Sequence, residues 1–197
     1  KGFTSASIAT LTTTQLEGIT STLLAALTAT QMLALTSTNV GALSTTQIGG
    51  LSTTAIGSLT VTQMGGLTTT QLAALTTAQM GGFKSTGVQA LTTTQFGSLD
   101  STQIAGISTL SLAGLSTTNV AALTTTQMAG LTSTQVKALT TAQVANLTTT
   151  QIAAFSTAQL AGLAATAITA MSTTQIGGFT SEEIAADDHA GEGLRVR

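Results

Sequence analysis

From Phe3 onward every eighth residue is large and apolar: Phe3, Leu11, Ile19, Leu27, Leu35, and so on to Phe155, Leu163, Met171 and Phe179. The register holds for 23 octads, residues 3–186, without insertion or deletion. Such a period leaves few folds open, because one eight-residue unit cannot bury its own apolar face. Neighbouring units must stack and share a core, which makes the chain a solenoid. The consensus is Leu-Thr-Thr-Thr-Gln-(Ile/Leu/Val/Met)-(Ala/Gly)-(Ala/Gly), and residues 123–130 are a clear copy.

Alternate octads differ. Numbering from Phe3, position five is Gln in 10 of 11 even octads and in 4 of 12 odd ones. Position eight is Gly in 8 of 11 even octads and in 1 of 12 odd ones, and position six is Ile or Val in 10 of 12 odd octads against 3 of 11 even ones. Three positions alternate together, so the sequence predicts a coil of two unlike octads, 16 residues long, with like sides stacked on like.

The octad carries a helix-start grammar. With Leu11 before the cap, Thr12 as N-cap and Gln15 three residues on, Thr12-x-x-Gln15 reads as a capping box, and Leu11 with Leu16 as the hydrophobic staple beside it. Position two is Thr, Ser or Asp100 almost throughout, with Lys84 and Ala164 as exceptions, and these are the residues that cap helices. Gly at position eight of even octads suits a left-handed stop after a short helix. The expected fold is therefore all-α, a solenoid of very short capped helices. The alternative is a two-sided β-solenoid, suggested by the strand preference of Thr. Strand side chains alternate between faces, however, so positions one and six would point opposite ways although both are apolar throughout. The Ala-Ala or Gly-Gly corners also lack the Asn, Asp and Pro of strand turns. Position four, Thr or its replacements Ala6, Ala78, Leu110, Ala142 and Ala158, is expected to be mostly buried. Position seven tolerates Glu17, Leu33, Gln89, Lys137 and Thr169, so it is expected to face solvent, with Thr at positions two and three making the surface rich in hydroxyls.

Residues 11–178 contain four charges: Glu17, Lys84, Asp100 and Lys137. The end differs, with Glu182, Glu183, Asp187, Asp188, His189, Glu192, Arg195 and Arg197. The expected organisation is a repeat array over 1–186, its last octad a cap, and a charged tail over 187–197. Because the first residues carry no comparable cap, the array is expected either to continue upstream or to stack on a partner. The chain opens Lys1-Gly2-Phe3 rather than on Met, which suits a processed product or a piece of a longer protein.

Little in the sequence points to chemistry. The net charge of −2 leaves no basic patch for a phosphate backbone, and no run approaches the ~18 apolar residues of a membrane span. Without Cys there is neither a disulfide nor a thiolate metal site. His189, the single His, lies beside Asp187 and Asp188 but cannot build a multi-His zinc site alone, and a solvated tail is the plainer reading. Glu182 and Glu183 are adjacent and so do not face each other on a helix. The Gly49-Gly50 and Gly65-Gly66 pairs lack the lysine of a phosphate loop. Asn146-Leu147-Thr148 matches an N-glycosylation sequon, an expected coincidence in so much Thr. No catalytic, cofactor-binding or metal residues are expected, and the chain is expected not to be an enzyme.

The tandem units, such as residues 139–145, resemble octapeptide arrays in large bacterial secreted or surface proteins. The resemblance covers almost the whole chain and implies an extracellular or cell-surface structural role: a rigid spacer or filament-forming scaffold that associates end-to-end or laterally. It carries no catalytic residue across. The alternative is an ice-binding or glycan-adhesive module presenting a Thr-rich face, of which the ice-binding form needs strands at ~4.8 Å spacing.

Overall fold

A computed structural model of the chain describes residues 3–179. Among them are 22 helices and no strand, from α1 (Ser5–Ala9) to α22 (Thr173–Ile176), each of four to six residues and each in the same part of its octad. Position two is the N-cap in every case. At Thr140, for example, the backbone is extended (φ −72°, ψ 156°) and the side chain accepts from the Gln143 N–H. The predicted box is present at Thr12 and Gln15 and recurs in most octads. Lys84 and Ala164 make no side-chain cap bond.

Each helix is about one turn. In the octad from Leu43, the Ile48 N–H donates to the Ser44 carbonyl at 2.9 Å, and the Leu51 N–H donates back to Ile48 at 3.1 Å. The residue opening each octad is thus tied to the helix before it. Isolated helices this short are not stable in water, so stability comes from what they bury. Positions one and six supply one continuous core, from Ile8 and Leu16 to Leu160 and Leu163, with most members under 5 % exposed.

The all-α solenoid stands, but its coil is longer than the alternation of octads suggests. α1 packs on α4 (Ala29–Leu33), α2 (Thr13–Glu17) on α5 (Ser37–Ala42), and so on through every helix to α19 (Thr149–Ile152) on α22. One coil is therefore three octads, 24 residues, rather than the expected two and 16. The corner explains this. Between helices only positions one and two are extended, as at Leu43 and Ser44, and two extended residues redirect the chain without reversing it. Three such corners close a triangle.

Two further expectations are corrected. Position four is exposed in every octad described, because a one-turn helix turns its second residue away from the axis while its third and fourth face inward. The glycines at position eight are not left-handed stops. Gly50 (φ −80°, ψ −12°) and Gly66 (φ −79°, ψ −12°) are right-handed, and no glycine among the described residues has a positive φ. Position seven is mostly exposed, as expected. The cap octad from Phe179 and the tail over 187–197 lie outside the described residues, beyond Phe179 itself.

Candidate functional site

The polar group that does most in this fold is the glutamine of position five. Gln47 is 5 % exposed. Its Oε1 accepts from the Ser44 N–H at 2.8 Å, closing the capping box of its own helix. Its Nε2 donates to the carbonyls of Leu16 at 2.7 Å and Ile19 at 2.6 Å, one coil earlier. One side chain thus satisfies an orphan donor at a helix start and the unpaired Ile19 carbonyl below it, and adds a second bond to the Leu16 carbonyl, which already accepts from the Ile19 N–H. The pattern repeats at Gln63, which reaches Met32 and Leu35, and at Gln71, which reaches Val40 and Leu43. It continues to Gln175, which reaches Val144 and Leu147. The shorter Asn39 and Asn119 span one carbonyl each, Leu11 and Leu91.

The clamp explains Gln rather than Glu. Either would close a capping box, but a carboxylate has no donor for the carbonyls one coil below. Sequence reasoning found the capping half, a contact three residues away. It missed the half that bridges 28 and 31 residues, whose only trace in the sequence is the near-exclusion of Glu from position five.

Position eight follows from the same stacking. A Cβ on Gly66 would lie 2.6 Å from the Ser37 carbonyl oxygen and 2.9 Å from its Cβ. A Cβ on Gly50 would lie 2.7 Å from that of Ser21. Glycine is required for close approach. Because the coil holds three octads, an even octad always rests on an odd one, so the alternation distinguishes successive layers of one face rather than opposite faces.

The surface carries little charge to work with. Asp100 caps α13 (Ser101–Gly106); hydrogen bonds from the Thr102 hydroxyl and then the Gln103 N–H lower its pKa. Lys84 edges a shallow hollow with Thr53, Thr54, Gly57, Ser58 and Gly82, and Lys137 edges another with Ser133, Thr134 and Gly162. Neither hollow brings a nucleophile to a base. Among the described residues no three His, Asp or Glu side chains gather as a metal site would need, and no helix is long and apolar enough to cross a membrane. His189, Asp187, Asp188, Glu182 and Glu183 lie outside the described residues. Asn146 is exposed and donates to Ala142 at 2.8 Å, while Leu147 is buried and the Thr148 hydroxyl caps the next helix. The glycine pairs sit at helix ends in the corners.

No curated protein sequence matches the chain. A family model described as the ALTTAQ repeat matches residues 32–69, 42–77, 97–133, 129–157 and 152–186. The hexapeptide occurs unchanged at Ala138–Gln143, and each letter now has a physical part: the corner residue Ala138, core Leu139, cap Thr140, surface Thr141 and Ala142, and the clamp Gln143. These matches cover well over half of the sequence, and the chain belongs to the ALTTAQ repeat family.

Proposed function

We propose that this structural repeat array is a non-catalytic rigid spacer or filament-forming scaffold of a bacterial surface or secreted protein. The observation that carries the reading is the glutamine clamp. It ties successive coils at fixed register over most of the chain, so bending requires directional hydrogen bonds to break. The absence of insertions supports the same reading, since loops that carry function on repeat scaffolds interrupt the repeat. An almost uncharged surface favours association of such rods, end-to-end or laterally.

The test is small-angle scattering with sedimentation velocity over a concentration series. Seven coils stacked at the ~8–10 Å spacing of packed helices give a rod of about 60–70 Å, longer on assembly. A compact, concentration-independent sphere would sink the proposal. Ice binding had its physical basis in a strand ladder. On stacked helices hydroxyls recur at roughly twice that spacing, so thermal hysteresis is expected to be absent. Glycan adhesion remains the second reading, on the hydroxyl-rich exposed positions two to four.

A further inference from the structure

The clamp is not uniform: Ala55 and Ala167 at position five interrupt it singly, and near the middle of the array two successive octads of one coil interface are weakened together. In the octad from Phe83, Lys84 leaves helix α11 (Ser85–Ala90) without a side-chain cap. Position five there is Gly87, which has no donor, and the Met64 side chain fills the space, 3.4 Å from where a Cβ would stand. One coil later the octad stacked on it, α14 (Thr109–Leu112), has Ser111 at position five, and its hydroxyl reaches only the Phe83 carbonyl, at 2.5 Å. The next octad has Asn119, which reaches only Leu91, at 2.9 Å. Leu110, 79 % exposed, breaks the Thr/Ala rule of position four at the same place.

On either side successive glutamines form full clamps. Before the seam, Gln63, Gln71 and Gln79 each hold two or more carbonyls of the coil below. After it, Gln127, Gln135, Gln143, Gln151 and Gln159 do the same without a gap. The family matches skip the lower side of this interface, stopping at residue 77 and resuming at 97, while its upper side lies within the match to 97–133.

The core does not stop there. Phe83, Val88, Phe96, Leu112 and Val120 are all buried. The seam is therefore held by apolar packing, which is non-directional, and by a single cross-coil hydrogen bond from each of Ser111 and Asn119, where the flanking glutamines make two or three of the directional bonds that fix register.

We infer that the coil interface between residues 83–98 and 107–122 is a hinge at which two stiffly clamped blocks bend or open relative to each other. It requires only the observed hydrogen bonds and is independent of the spacer reading.

Hydrogen exchange on the full chain tests it. Amides of 85–91 and 109–115 are expected to exchange roughly tenfold faster than their counterparts at 61–67 and 133–139, as the loss of several cross-coil bonds implies. A Ser111→Gln/Asn119→Gln variant, whose longer amides can reach a second carbonyl, is expected to bring the two rates together. Equal protection of seam and flanks in the native chain overturns the hinge. So does fast exchange at the seam that a folded variant leaves unchanged, because the missing clamps would then not be its cause. If the variant does not fold, the native comparison alone decides.

Discussion

The side-chain amide of Gln135 donates to the carbonyl of Ile107 at 2.7 Å, across 28 residues of chain. It also holds Ile104 at 2.9 Å and accepts from the Thr132 N–H at 2.8 Å. Glu at this position keeps the acceptor and loses the donor. Gln135→Glu is expected to destabilise the array by about 3 kcal/mol at pH 7, as for a buried polar network deprived of a donor and given a charge. Burial against carbonyls raises the pKa of the new carboxyl above that of the unfolded chain, so the deficit grows as pH rises through the folded value. It shrinks below about pH 4.3, where folded and unfolded chains both hold the proton. Chemical denaturation at pH 3.5 and 7 measures this, and equal deficits would contradict the clamp.

Hydroxyls at positions two and four look interchangeable in sequence and are not. The Thr124 hydroxyl accepts from the Gln127 N–H at 3.2 Å, whereas Thr126 is exposed on the surface. Thr124→Ala is expected to cost about 1 kcal/mol, and Thr126→Ala less than about 0.5 kcal/mol. Thermal melts of the two variants side by side decide it.

Gly65 and Gly66 are neighbours with opposite roles. A Cβ on Gly65, the last residue of helix α8 (Val61–Gly65), meets nothing within 4 Å, so Gly65→Ala is expected to stabilise by about 0.5–1 kcal/mol through helix propensity and a less flexible unfolded chain. On Gly66 the same atom strikes the Ser37 backbone, and Gly66→Ala is expected to destabilise by about 1–3 kcal/mol. Two shifts of the same sign in a melting experiment would refute the close-approach account of position eight.

Asp100 gives the array a small acid sensitivity. Hydrogen bonds from the Thr102 hydroxyl and the Gln103 N–H hold its pKa below the ordinary value of 3.8. A depressed folded value contributes stability that is present above the unfolded pKa and lost as pH falls through the folded one. Asn also caps well, so Asp100→Asn is expected to fold like the native chain while losing that dependence. The effect is modest, since the group is exposed and screened. Stability curves for both chains between pH 2 and 6 test this, and parallel curves would rule it out.

The sequence by itself determined what acts within a few residues. The Thr12–Gln15 box, the caps at position two, the apolar pair at positions one and six and the outward position seven are all local, and each appears where the octad put it. Tertiary structure decided the rest. The coil length depends on how far each corner turns the chain, which no eight-residue pattern encodes, so the alternation of octads fits two sides of a coil in sequence and marks successive layers in the fold. The second bond of Gln47 to Ile19, the crowding of Gly66 by Ser37 and the exposure of position four follow from which coil lies beneath. Local hydrogen bonding fixes the helices because its partners are three or four residues apart. Stacking joins residues 23 to 31 apart, and only the closed triangle brings them together.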